Sequence, residues 1–433
     1  MRRESSRRSD EKYYAQTGFF KNYSSRPLEW YTLLENLYRA FQLTGNPKFK
    51  NFVEVWLYHL YWNKFVDTAE PTYAYGVHAY SHVNSFSSAA MAYAVSGNPK
   101  YLRIIKNAFD FLQNTQCYAT GGFGLAERLM PSNGNLGKSL EYKMDSFETP
   151  CGSWAGFKLG GYLMQFTGEA RYGDWIERLL YNGIGAALPN KEGGKPFYYA
   201  DYRIAGVKYY HRSSYQCCAG TYIQNVANYH NLIYYKDGSG LYVNLYLPSE
   251  AAWNRPEGKV KLVQDTRYPE DETSTLTLSL VQSMAFSLNL RVPGWSRDMS
   301  VRVNGTVVDD AFKPGTWATI MRSWNHGDKA EIRIPLRFRL QPIDRWHPSR
   351  VALVWGPEVV VQQGNTHEAI FPLPEREDDL NKWLIPEDAP GLFRLKPPDG
   401  NNVQGRFMPY YQIGESHPCR MYFDLNALPV ILW

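Results

Sequence analysis

Thr44-Gly-Asn-Pro-Lys-Phe49 decides how the first half of the chain is read, because it returns. Ser96-Gly-Asn-Pro-Lys-Tyr101 and Thr167-Gly-Glu-Ala-Arg-Tyr172 keep its glycine and its aromatic in place. A glycine after an apolar-periodic run ends a helix in a left-handed cap, and Asn or Glu followed by Pro or Ala opens the next. Each breaker sits between two such runs. Before the first, Leu28, Tyr31, Leu34, Tyr38 and Phe41 recur at three- and four-residue steps. The unit is therefore a repeated αα-hairpin. The interval between the second and third breakers also carries an insertion, Gly121-Gly-Phe-Gly124 to Phe147, and insertions in helical repeats map to loops on one face.

Outward from the breakers, the pattern predicts about seven helices before Asn231, near 27–43, 48–64, 82–96, 99–115, 150–166, 170–186 and 217–232. A toroid of six hairpins needs twelve, so this region reads as a smaller bundle or as part of a larger ring. Residues 1–26 are polar and basic, a loose arm. After Lys236 the periodicity changes. Leu241–Leu247, Leu276–Leu280, Phe286–Val292 and Met299–Val303 alternate, Asn304-Gly305 signals a hairpin, and Ala330–Ile334 alternates again. The expected division is a basic arm at 1–26, a helical domain at 27–236 and a β-sandwich at 237–340. A second β unit at 341–416 and a closing strand at 417–433, returning to the first sandwich, complete it. The fold class is α + β multidomain, with antiparallel sandwiches after the helices.

Composition narrows the function. Aromatics reach 15%, with 33 Tyr and 13 Trp, which suits sugar stacking as well as core packing. A net charge of +5 with no basic stripe does not indicate nucleic acid, and no apolar run approaches a membrane span. Five cysteines, an odd number, argue against a disulfide framework. With no apolar segment behind Arg2, Arg3, Arg7 and Arg8, the chain as given favours a cytoplasmic location.

Three constellations have chemistry in them. Cys217-Cys218 is a strained prospect for a mutual disulfide but can present two thiolates to one ion. Cys151, with Glu148 three residues before it, would complete a tetrahedral zinc set, although a buried apolar thiol is the commoner use of cysteine. Glu127 follows three closely spaced glycines, as if the backbone there approached a ligand. It reads as a general acid/base or as a solvated loop residue. His78, in His78-Ala-Tyr-Ser-His82, reads as a capping residue or as a sugar contact. Cys117 and Cys419 have no suggestive neighbours.

These pieces fall in one order. Glu29-Trp-Tyr-Thr-Leu-Leu-Glu-Asn-Leu-Tyr-Arg39, His78–His82, Thr120-Gly-Gly-Phe-Gly124, Glu148-Thr-Pro-Cys151, Cys217-Cys218 and Leu241–Tyr246 together resemble glycoside hydrolase family 127, the β-L-arabinofuranosidase family. The resemblance implies an (α/α)6 barrel followed by β-sandwiches, here lacking the N-terminal part of the barrel. It implies a retaining hydrolase that uses a zinc-bound cysteine. Cys217 becomes nucleophile and ligand, Glu148, Cys151 and Cys218 the other ligands, Glu127 the acid/base and His78 a substrate contact. It also implies an arabinofuranoside or related glycan as substrate, and leaves room for a homodimer. One departure stands out. The family places one residue between its Glu and Cys ligands, whereas Thr149 and Pro150 both intervene here, so the loop is expected to bulge or one ligand to drop out. Two rival readings are a carboxylate-based toroid glycosidase, with Glu127 and a partner such as Asp145 around a structural zinc, and a non-catalytic sugar-binding protein.

Overall fold

All three breakers end a helix by the same local chemistry. Gly45, Gly97 and Gly168 adopt φ of 66°, 66° and 67°, and their N–H groups return to the carbonyls of Phe41, Tyr93 and Met164. The side chains of Asn46 and Asn98 then accept from the N–H of Lys48 and Lys100, with Pro47 and Pro99 opening the next helix. The computed structural model describes residues 29–72, 76–211, 217–308, 312–364, 373–389, 391–396 and 406–426. The basic arm expected over 1–26, the helix start expected at 27 and parts of the second β unit and closing strand expected over 341–433 lie outside these.

The helices are α1 (Leu34–Thr44), α2 (Pro47–Val55), α3 (His59–Trp62), α4 (Ala79–Ser96), α5 (Pro99–Thr115), α6 (Asn135–Ser139), α7 (Thr149–Thr167), α8 (Arg171–Leu179) and α9 (Cys217–Asn228). α1–α2, α4–α5 and α7–α8 are the hairpins, and α1, α4, α7 and α9 lie side by side as the inner row. α4 and α7 are buried on nearly every side, which explains their uniformly apolar and small-residue sequences. The chain thus forms an arc of a helical toroid. The helix expected over 48–64 is broken between Val55 and His59. There the rings of Trp30, Trp56, Tyr31 and Tyr58 pack together, Tyr31 and Tyr58 stacked at 4.6 Å, and this aromatic cluster overrides helix propensity. The helix expected over 170–186 ends at Leu179 and unwinds through a wider turn at Leu180–Ile184. α6 lies in the insertion, unforeseen because it is barely one turn long.

Three short strands, β1 (Phe147–Glu148), β2 (Tyr199–Ala200) and β3 (Lys208–Tyr209), form a small sheet beside the inner row. The sandwich follows, with β4 (Tyr234–Lys236), β5 (Gly240–Val243), β6 (Ser249–Arg255), β7 (Gly258–Thr266), β8 (Thr273–Leu280) and β9 (Met284–Arg291). It continues with β10 (Ser300–Val303), β11 (Thr306–Val307), β12 (Trp317–Trp324) and β13 (Lys329–Arg333). Sheet β12-β9-β5-β4 faces sheet β11-β10-β13-β8-β7-β6 across a core that includes Leu276, Leu278, Phe286, Leu288 and Val301. One pair is not antiparallel. β5 and β9 run parallel because three strands of the opposite sheet intervene between them. β4 precedes the boundary expected at 237, so the sandwich begins at Tyr234.

The second β unit comprises β14 (Phe338–Pro342), which straddles the boundary expected at 340, then β15 (Arg350–Trp355), β16 (Glu358–Gln363) and α10 (Glu377–Trp383). β17 (Leu384–Pro386), β18 (Phe393–Leu395), β19 (Arg406–Pro409), β20 (Cys419–Arg420) and β21 (Tyr422–Asp424) complete it. α10, only seven residues long, is an addition to the β unit expected there. The closing strand does not return to the first sandwich. β21 pairs with β15 and β20 with β16, in the second unit. Alternation explains the placement, since Phe423 enters that unit's own core while Tyr422 faces the helices and its hydroxyl accepts from the Ala119 N–H.

Arg291 joins the toroid to the sandwich. Fully buried at the end of β9, it reaches Asp174 at 2.5 Å and Glu177 at 2.7 Å, both on α8, and its Nε donates to the Asn244 carbonyl. Trp295 Nε1 also donates to Glu177 at 3.2 Å. Removing one partner of a buried ion pair leaves a desolvated charge and costs about 3–5 kcal/mol. Arg291→Met is therefore expected to lower stability by about that much in denaturant titration. A loss in the ~1 kcal/mol range of surface pairs would show that the boundary is not held this way.

Candidate functional site

The site is built on two helix starts. Glu148 is the N-cap residue of α7, and Thr149, Pro150 and Cys151 form its first turn. The N-cap and N3 positions lie on one face of a helix, so Glu148 and Cys151 point the same way across the two intervening residues. The expected bulge is absent. Pro150 costs nothing there, because a first-turn N–H has no partner within the helix. At the start of α9, Cys217 and Cys218 are about 100° apart around the helix axis. One turns inward and is buried, while the other is exposed.

The four side chains converge. The three sulfurs and one carboxylate oxygen all lie within 4.8 Å of one another. Cys151 Sγ is 3.4 Å from Cys217 Sγ and 3.3 Å from Cys218 Sγ, and Glu148 Oε1 is 3.3 Å from Cys217 Sγ and 3.5 Å from Cys218 Sγ. Bonds of 2.0–2.3 Å to a tetrahedral ion give donor–donor edges of about 3.3–3.8 Å, so these residues fit a metal such as zinc. The five cysteines are all free, and Cys117 and Cys419 are buried elsewhere.

Around this cluster the polar groups are shared. His78 caps α4, and its Nδ1 meets Glu29 Oε1 at 2.6 Å. Its Nε2 lies 3.4 Å from Glu148 Oε2 and 3.9 Å from Glu127 Oε2. The Tyr198 hydroxyl stands 3.3 Å from Glu148 Oε1, 3.4 Å from Glu127 Oε1 and 3.5 Å from Cys217 Sγ, while Tyr199 donates to Glu127. Glu127 lies on a turn, Leu125–Glu127, where Ala126 and Glu127 both take positive φ, 51° and 59°. Two adjacent residues in that region cost on the order of 1–3 kcal/mol each, which the surrounding packing sustains. The glycines before Glu127 do not open space for a ligand. A Cβ on Gly122 would come within 2.5 Å of Phe147, and one on Gly124 within 2.6 Å of Ala79, so they bring the loop against the protein itself.

The electrostatics set the thiols apart. Hydrogen bonds from Cys151 and Cys218 hold Cys217 far below the usual thiol range, whereas burial pushes Cys151 and Cys218 upward. Burial also raises Glu148, to about 7, against the hydrogen bond from His78. Burial pulls His78 down, but hydrogen bonds to Glu148 and Glu29 outweigh it and lift it to about 10. The site can therefore present a thiolate, a carboxyl and a cationic imidazole to one opening.

All six residues singled out in the sequence, Glu127, Glu148, Cys151, Cys217, Cys218 and His78, meet in this one place. Asp145, the alternative carboxylate, adjoins them, its carbonyl accepting from Ala126 N at 2.8 Å. Tyr198 and Tyr199 were missed, since a two-residue strand leaves no pattern. Glu29 has no distinct signal in the sequence, because its partner His78 lies 49 residues away.

A helical arc bearing a thiol and a carboxyl at its central face, followed by one β-sandwich and an eight-stranded sheet, is the setting, and the family match gives the class: the protein is a glycoside hydrolase. Residues 23–231 match the catalytic domain, and residues 240–336 the middle domain, of the GH127 β-L-arabinofuranosidases. The chain belongs to glycoside hydrolase family 127. Solved structures share its fold. One described as a glycoside hydrolase has a TM-score of 0.73 at 20% identity and covers 94% of this chain and 77% of its own. The GH127 β-L-arabinofuranosidase of Geobacillus stearothermophilus T6 gives 0.71 at 22%, covering 90% and 71%. A GH127 β-arabinofuranosidase gives 0.73 at 22%, covering 91% and 68%. No curated protein matches the chain in sequence. No helix among the described residues is long and apolar enough to cross a membrane.

The four-donor cluster predicts about one bound metal ion per chain. Elemental mass spectrometry on native protein checks it, and Cys151→Ser is expected to lower the metal content roughly tenfold or more. Metal-free native protein whose three clustered thiols all titrate freely would refute the site.

Proposed function

We propose that the chain is a retaining β-L-arabinofuranosidase in which Cys217 is the nucleophile and Glu127 the acid/base, with zinc held by Glu148, Cys151, Cys217 and Cys218. The observation that carries this reading is the single exposed sulfur, Cys217, in a cluster whose other members are buried. When bound, zinc supplies positive charge that keeps the thiolate form available at neutral pH. Cys217 Sγ attacks the anomeric carbon, forming a carbon–sulfur bond as the bond to the leaving oxygen breaks. Glu127 gives its proton to that oxygen. Glu127 then takes a proton from water, whose oxygen displaces Cys217 and restores the configuration. Tyr199 and Tyr198 hold Glu127 in place, and His78, fixed by Glu29, faces the same opening and contacts the sugar.

An aryl β-L-arabinofuranoside tests the roles. Wild type should cleave it, Cys217→Ala should abolish turnover, and Glu127→Gln should lower kcat by ~10²–10⁴-fold. Undiminished activity in Cys217→Ala, with loss in Glu127→Gln, would replace the thiol nucleophile by a carboxylate. Wild type inert on arabinofuranosides but active on another glycoside would overturn the sugar assignment alone.

A further inference from the structure

A cavity of ≈ 340 Å³ opens where the toroid, the sandwich and the second β unit meet. None of the residues named at the candidate active site lines it. Tyr181 comes from the turn after α8, Tyr268 and Glu270 from the β7–β8 connection, and Glu358 and Tyr411 from the second β unit. Glu358 is 5% exposed. Among the described residues its carboxyl has neither a hydrogen-bond donor nor an ion-pair partner, and burial, together with the like charge of Glu270, raises it to about 8. Arg267, at the rim, does not relieve it: its Nε lies 3.9 Å from Glu270, and its side chain is 71% exposed. Glu358 lines the cavity, so the partner its carboxyl lacks can come only from what fills that space.

The walls decide what that is. The cavity lining is mostly apolar, contributed by tyrosine rings and two prolines. The hydroxyls of Tyr181 and Tyr268 are already committed, to the Tyr268 carbonyl at 3.5 Å and to Glu177 at 3.3 Å. A saccharide would bring many hydroxyls to a site with few partners for them. A divalent cation would need about six oxygens, and two carboxyls with apolar walls do not supply them. A compact ammonium on a methylene stem matches all three features: it donates to Glu358, its charge is shared by Glu270, and its stem and charge suit aromatic faces. We propose that this cavity binds a small aliphatic amine, of the size and charge of a diamine, seated on Glu358. The proposal is independent of the mechanism given to Cys217.

Isothermal titration of the full chain with 1,4-diaminobutane tests it, with 1,4-butanediol and L-arabinose as neutral controls. The diamine should bind wild type at one site per chain, and the neutral compounds should not displace it. Glu358→Gln keeps the shape and removes the one buried group that can ionise against an ammonium, so it should fold, retain glycosidase activity and bind the diamine roughly tenfold or more weakly. Glu270→Gln should weaken binding by a smaller factor. No diamine binding at millimolar concentration, or binding unchanged in both variants, would overturn the proposal. Competition by L-arabinose would overturn it in favour of a saccharide site.

Discussion

The first turn of α7 is the constraint on which the site depends. The same stretch carries two of the four clustered donors and begins the most enclosed helix of the arc. That helix packs against α4, α8 and α9, so the position of Glu148 and Cys151 is set by the core. α9 is held against it by a buried stripe, Cys218, Thr221 and Asn225, with Asn225 Nδ2 donating to the Pro150 carbonyl at 2.8 Å. A hydrogen bond from the helix with the sulfur pair to the turn with Glu148 and Cys151 fixes their separation. The chemistry of the cluster is thus a by-product of helix packing, and small shifts of α9 against α7 would pull the four donors apart.

Around that cluster the supporting groups are arranged by charge. His78 lies between carboxylates on both sides, and Tyr198 is within reach of both carboxyls and the exposed sulfur. Such a network, dense in shared protons, restrains each group more than any single contact does. The strained turn at Ala126–Glu127 belongs to the same economy of space. The loop is pressed inward by glycine packing, and the carboxyl is brought to the opening at the expense of backbone comfort.

Much of this was legible in the sequence, for definite reasons. The three breakers could be read because glycine caps and Asn–Pro starts act within six residues. The sandwich strands could be read because one face of each is dry. The cluster was legible from its residue types, and the resemblance supplied the order. What escaped depends on contacts distant in sequence. The break after Val55 follows from rings brought in by Trp30 and Tyr31. The glycines before Glu127 looked like room for a ligand because their true partners, Phe147 and Ala79, come from other elements. The spacing of Glu148 and Cys151 looked like a defect until the helix start between them was seen. The destination of the last strand was misread because alternation shows that a strand has two faces, not which cores it separates.

Arg291 has a bearing on domain exchange. Sequence comparison divides this chain into a catalytic and a middle domain, with the division between residues 231 and 240. The buried charges ignore that division, because Glu177 lies on one side and Arg291 on the other. A helical domain exchanged onto a foreign partner would keep Glu177 without its cation, and a sandwich transplanted alone would strand Arg291. The two segments are therefore coupled through this pair, and separating them would leave an uncompensated buried charge on each side.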